Sequence, residues 1–124
     1  MKNLILTLAL FICSTSYSQY VDIDWNTQDN CKHQTIIYHD NGHIKEVGCH
    51  NSNLEKTGRW YRYTPNGETI SSVGFDHHGN KHGDWKVWND KGNLVAHMIY
   101  DHGKRTGTWK AFLPDGTVQE RKYN

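Results

Sequence analysis

The fold is decided by one ten-residue stretch, Gly83-Asp84-Trp85-Lys86-Val87-Trp88-Asn89-Asp90-Lys91-Gly92, and by its recurrence along the chain. The stretch has a Gly-x-Trp start, an aromatic residue three positions after the Trp, and a second Gly four positions later. The same pattern begins at Gly58 and at Gly107, at spacings of 25 and 24 residues. An earlier copy, which we interpret as a cap, keeps only the aromatic residue, Tyr38, and the second Gly. A fixed period of this length is typical of stacked supersecondary units, and residues 36–124 hold about three and a half of them.

Each second Gly ends a turn signature. The four signatures are Asp40-Asn41-Gly42, Pro65-Asn66-Gly67, Asp90-Lys91-Gly92 and Pro114-Asp115-Gly116. Pro presets the second position of a type I turn, Asn or Asp suits the third, and Gly takes the left-handed conformation, so these are hairpin turns. Strands are predicted to follow at 44–50, 68–75, 93–100 and 117–123, and looser turns at 76–83 and 101–107. The predicted fold is therefore all-β, an antiparallel meander of tandem β-hairpin repeats that forms an elongated twisted sheet.

The aromatic residues of the repeat divide between the two faces of this sheet, because side chains alternate along a strand. One face receives Trp60, Trp85 and Trp109, and the other receives Tyr63, Trp88 and Phe112. We expect ladders of identical residues on neighbouring copies to stabilise the sheet. Whichever row is left open is a candidate binding surface for an apolar ridge of a partner protein or for sugar rings. The alternative is that both rows serve only to pack the sheet.

The repeat pattern, with its link Gly103-Lys104-Arg105-Thr106-Gly107, resembles the MORN-repeat variants. The resemblance covers residues 36–124, although Leu54 stands where later copies have Gly79 and Gly103. It implies a twisted sheet of β-hairpins and a role in binding other macromolecules. Such repeats are common in exported bacterial proteins, a subset of which are classed as antitoxins of toxin–antitoxin systems. MORN repeats have also been linked to phospholipid.

The first residues predict a secretory signal peptide. Lys2 precedes an apolar run at 4–12, which is too short to span a bilayer, and Ser16 and Ser18 suit a cut after Ser18. The alternatives are a buried N-terminal helix and a lipoprotein anchored at Cys13. The predicted organisation is therefore a signal peptide at 1–18, an N-terminal cap segment at 19–35, and repeats at 36–124. The product is expected to be periplasmic, associated with the outer membrane, or secreted, with no stable membrane insertion after cleavage.

Two features are predicted for the cap segment. Residues 20–25 alternate in polarity and could form an added edge strand or a flap across one aromatic face, the alternative being a frayed terminus. Cys31 and Cys49 remain after cleavage, and in an oxidising compartment such a pair favours a disulfide over two free thiols. That bond would tie the cap segment to the first copy.

Charge and motif content exclude several classes of function. Cleavage after Ser18 leaves 13 basic and 13 acidic residues, which argues against a nucleic-acid partner and against capture by anionic lipid. The chain has no Gly-x-Ser-x-Gly elbow and no evident catalytic arrangement of Cys, His and Asn. Its Gly residues fall at turns rather than in a phosphate-binding loop. We therefore expect no enzymatic activity, no catalytic residues and no cofactor.

The His content raises the question of a metal site. His77, His78 and His82 lie in one predicted turn, and His102 lies in the matching turn of the next copy. With Asp residues nearby, such rings could hold Zn²⁺ or Cu²⁺. The spacing matches no recognised ligand motif, so the expectation is solvated turn residues and no metal, with these four His as weak candidates.

Taken together, the sequence predicts an exported, non-catalytic repeat protein that acts as a protein-binding or scaffold module at the cell envelope. Its partner would be another protein, either an envelope component or a toxin. The alternative function is an antitoxin or immunity-type protein that neutralises a toxin by direct binding. A metal-binding role for the His-containing turns is the third hypothesis.

Overall fold

The computed structural model describes residues 31–124, which form one eight-stranded antiparallel sheet. The strands are β1 (His33–Tyr38), β2 (Ile44–His50), β3 (Lys56–Tyr63), β4 (Thr69–Phe75), β5 (Gly83–Trp88), β6 (Leu94–Asp101), β7 (Lys104–Phe112) and β8 (Val118–Tyr123). Each strand pairs with the next in chain order, so the predicted all-β meander is confirmed. No membrane-spanning helix is found among residues 31–124. The predicted signal peptide and the alternating segment 20–25 lie outside the described residues.

The four predicted tight turns are present. In the second copy, Gly67 has φ of 91° and its N–H donates to the carbonyl of Thr64 at 2.9 Å. The same hydrogen bond closes the other three turns, at 2.9 to 3.1 Å. The strands that follow these turns begin within one residue of their predicted starts. The turn chemistry of Pro, Asn or Asp and Gly therefore determines these hairpins directly.

The connections between copies are tighter than predicted, so the expectation of looser turns was wrong. The N–H of Gly79 donates to the carbonyl of Asp76 at 3.1 Å, and Leu54 makes the same bond to Asn51 at 3.1 Å with φ of 63°. A side chain at the start of each turn makes it tight. The carboxamide oxygen of Asn51 and a carboxylate oxygen of Asp76 each accept the backbone N–H groups two and four residues later. The last connection is a two-residue turn at His102, whose φ is 45°.

The pairing between copies is interrupted at each Gly-x-Trp motif. From Val47 to Cys49, two steps along β2 are matched by four steps along β3, from Tyr61 to Thr57. The same two-against-four shift occurs between β6 and β7. Gly58 and Gly107 have positive φ inside these shifts, which is the reason that the motif begins with Gly. Each Trp indole lies against the strand of the preceding copy at this point.

The sheet is a single layer, and its dry interior is small. Among the described residues, the buried hydrophobic side chains are Val47, Cys49, Trp60 and Tyr63, all in the first two copies. Most other strand residues are half-buried. The predicted disulfide is present, since Cys31 bonds to Cys49 with a Cα–Cα distance of 5.2 Å. The bond fixes the start of the described chain to the buried part of β2.

Reduction of the Cys31–Cys49 disulfide is expected to lower the free energy of unfolding by about 3 kcal/mol, because the bond closes an 18-residue separation in the unfolded chain. Urea unfolding with and without reductant measures the difference. A Cys31→Ser variant is the control, because reductant should cause it no further loss. Equal midpoints for the oxidised and reduced protein would contradict the prediction.

Candidate binding faces

The first candidate surface is the tryptophan face, which we define by Trp60, Trp85 and Trp109. Each indole N–H donates to a backbone carbonyl of the preceding strand. The acceptors are Cys49 for Trp60 at 3.1 Å, Gly74 for Trp85 at 2.9 Å, and Ile99 for Trp109 at 2.9 Å. The carbonyls of Cys49 and Ile99 lie at register shifts between copies, and that of Gly74 lies beyond the last paired residue of β4 and β5. The Trp residues therefore join each copy to the one before it.

The rings of the tryptophan face form a mixed ladder. Ring centroids are 5.3 Å apart for Phe75 and Trp85, 5.3 Å for Trp85 and Tyr100, 5.1 Å for Tyr100 and Trp109, and 4.8 Å for Trp109 and Tyr123. The expectation of ladders of identical residues was wrong for this face. In a meander, the second strand of each copy lies between successive Trp-bearing strands, so its terminal aromatic residue is placed between their indoles.

Basic side chains cover the same rings. The ammonium group of Lys56 lies 4.2 Å from the ring centroid of Trp60, that of Lys81 lies 4.8 Å from Trp85, and the guanidinium of Arg105 lies 5.2 Å from Trp109. Each cation stands four residues before its Trp, so the regularity is already present in the sequence. Such cation–π contacts stabilise exposed aromatic faces. Since the Trp60 side chain is only 2% exposed, the tryptophan face mainly packs the sheet at the first copies.

The second candidate surface is the groove face, which bears Tyr63, Trp88 and Phe112. On it, Tyr61, Tyr63 and Trp88 line an open groove of about 700 Å³. Lys86 and Glu68 contribute charged groups to the same groove. The structure thus brings two of the three predicted residues together, whereas Phe112 is half-buried on β7 and does not line the groove. Tyr61 was missed, although its place two residues before Tyr63 puts it on the same face.

Tyr63 has an unusual environment. Its side chain is 3% exposed, and its hydroxyl has no hydrogen-bond partner among residues 31–124. Burial, and to a lesser extent the neighbouring Tyr61, raises the pKa of Tyr63 far above its usual value. The phenol therefore stays neutral, and its buried hydroxyl is a donor without an acceptor among the described residues.

The weak His candidates separate into two groups. His77 and His78 pack against each other, with ring centroids 4.0 Å apart. His82 and His102 pack together at 4.3 Å, and they form a group with Asp101. The structure therefore places only two of the four predicted residues in an arrangement of several potential metal ligands.

Comparison with known families agrees with this architecture. Residues 81–102 match the family described as MORN repeat variant. No curated protein and no solved structure matches the chain significantly. The matched segment holds the Gly-x-Trp motif at Gly83, the aromatic Trp88 and the turn Gly92, and the copies that begin at Gly58 and Gly107 repeat this pattern with the same strand and turn structure. Residues 81–102 are therefore a MORN repeat variant, and the copies on either side of them share its sequence pattern and strand order.

Proposed function

We propose that this chain is a non-catalytic module that binds another protein through the groove face. The observation that carries the proposal is the size of the groove at Tyr61 and Trp88, compared with the covered indoles of the first two Gly-x-Trp motifs. Cations and neighbouring rings cover the indoles of Trp60 and Trp85, whereas Tyr61 and Trp88 flank an open groove. Trp109 lines a second, smaller groove at the last copy. Aromatic residues are enriched in protein interfaces, and they often supply most of the binding energy.

The groove also limits the chemistry of its partner. Its aromatic rings favour an apolar side chain, and Lys86 and Glu68 offer one charge of each sign at its margin. A protein segment that carries an apolar side chain next to a charged one matches both features. We therefore propose a protein segment as the occupant.

The place of action is part of the same proposal. The predicted signal peptide, together with the Cys31–Cys49 disulfide, supports a role in an oxidising compartment at the cell envelope. An antitoxin would use the same face, with a toxin in place of an envelope protein. The identity of the bound protein distinguishes the two functions, because only a toxin would harm cells that lack this chain.

Binding through the groove face can be tested by capture and then by affinity measurement. The immobilised full chain is exposed to an envelope extract, and the captured protein is identified and purified. The double variant Tyr61→Ala/Trp88→Ala is expected to bind that protein at least tenfold more weakly, because it loses two aromatic anchors.

A matched control for this experiment is Lys104→Ala, which changes an exposed residue at the start of β7 and should leave the affinity unchanged. Circular dichroism of both variants checks that the sheet is intact. Wild-type affinity for a folded double variant would overturn the proposal. Trp85 is not a suitable target, because its indole holds the copies together.

A further inference from the structure

A group of polar side chains lies outside the groove, where the third and fourth copies meet. His82 lies just before β5, Asp101 ends β6, and His102 lies in the turn that follows. One ligand atom from each of these three residues lies within 4.8 Å of the other two. Asp101 Oδ1 is 3.9 Å from His82 Nδ1 and 3.8 Å from His102 Nε2.

A buried carboxylate orients His102. Asp76 has a side chain that is 3% exposed, and its Oδ2 lies 2.8 Å from His102 Nδ1. Backbone N–H groups of His78 and Asn80 hold the same carboxylate in place. Since an ionised carboxylate only accepts, His102 Nδ1 carries the proton, and in the neutral ring Nε2 carries the lone pair. A carboxylate that fixes a ligand His in this way is the usual outer partner in protein metal sites.

The neighbouring ring is also set to donate a lone pair. His82 Nδ1 accepts a hydrogen bond from the backbone N–H of His102 at 3.1 Å, so that nitrogen is unprotonated. A bound metal would take this lone pair in exchange for a single hydrogen bond. The three side chains therefore offer two imidazole nitrogens and one carboxylate oxygen from adjacent turns.

We propose that His82, Asp101 and His102 form a Zn²⁺ site that joins the turns of the third and fourth copies, with water as the fourth ligand. Zinc prefers tetrahedral nitrogen and oxygen ligands at roughly 2.0–2.2 Å, which places ligand atoms about 3.4 Å apart. The observed separations of Asp101 from the two rings exceed this value by about 0.5 Å. The Asp101 side chain is 67% exposed and is free to close that gap.

Calorimetric titration of the tag-free full chain with Zn²⁺ tests the site. The expected result is one ion per chain with a dissociation constant in the micromolar range. His82→Ala is expected to weaken Zn²⁺ binding at least tenfold. Even the loss of a residue that only hydrogen-bonds to a metal ligand typically lowers metal affinity by about 10–100-fold. The matched control His78→Ala removes an exposed His of the preceding turn, and it should bind as the wild type does.

A second readout distinguishes a site from loose association with surface His residues. Zn²⁺ should raise the melting temperature of the wild type and of His78→Ala, and it should not raise that of His82→Ala or Asp101→Asn. His102→Ala is less suitable, because it also removes a partner of the buried Asp76. No saturable heat with the wild type, or equal weakening by His78→Ala and His82→Ala, would overturn the proposal.

Discussion

Substitution of Gly48 by Ala is expected to lower the free energy of unfolding by about 3 kcal/mol. A Cβ atom at Gly48 would overlap the indole ring of Trp60, which is the largest fully buried side chain among the described residues. The indole cannot move away without breaking its hydrogen bond to the carbonyl of Cys49. Overpacking a rigid interior costs about 1–3 kcal/mol, and a lost hydrogen bond adds about 1 kcal/mol. Urea unfolding followed by tryptophan fluorescence measures the change.

The matched control is Gly92→Ala, which separates overlap from backbone strain. Gly92 has φ of 80°, and nothing lies within 4 Å of its added Cβ, so this variant should lose only about 1 kcal/mol. At Gly48 the added Cβ overlaps Trp60, but the backbone is not strained, because its φ lies outside the left-handed region. If Gly48→Ala is no more destabilising than Gly92→Ala, then the indole of Trp60 does not pack directly on the backbone of Gly48.

The repeat made much of the fold predictable, because the relevant information is local. Pro65 and Gly67 specify a turn through their own backbone preferences, and the period of two then assigns Trp60 and Tyr63 to opposite faces. The connections were harder to predict. The turn at Asp76 is tight because its side chain accepts two backbone N–H groups. The same residues are also compatible with a looser turn, so the sequence alone does not distinguish the two conformations.

The side-chain contacts between copies could not be predicted, because they depend on register and not on period. Nothing in the spacing of Trp60 and Trp85 indicates that β2 advances two residues while β3 advances four. That shift decides which carbonyl each indole reaches. The same limit applies to the proposed metal site. His82 and His102 are 20 residues apart, and only the structure shows that Asp76 is buried behind them.

Asp76→Asn is expected to lower the free energy of unfolding by about 3 kcal/mol at neutral pH. The carboxylate accepts from the backbone N–H groups of His78 at 3.0 Å and Asn80 at 2.8 Å, from the Asn80 amide at 3.2 Å, and from His102 at 2.8 Å. Hydrogen bonds to a charged group contribute about 1.5–3 kcal/mol each. In the Asn variant, the side-chain NH₂ group would face N–H donors that now bond to the carboxylate. Asp115→Asn is the control, because Asp115 is exposed and bonds only within its own turn.

The same residue predicts how stability depends on pH. Burial alone would raise the pKa of Asp76, but the hydrogen bonds from His102, Asn80 and His78 outweigh it and hold the pKa well below its ordinary value. A group with a lowered folded-state pKa stabilises fully above its unfolded pKa of about 4, and its contribution is lost as pH falls below that value. The difference in unfolding free energy between the wild type and Asp76→Asn should therefore shrink as pH falls below about 4. Other carboxylates titrate in both proteins and cancel in this difference. A difference that persists unchanged into acid would mean that Asp76 acts through packing and not through its charge.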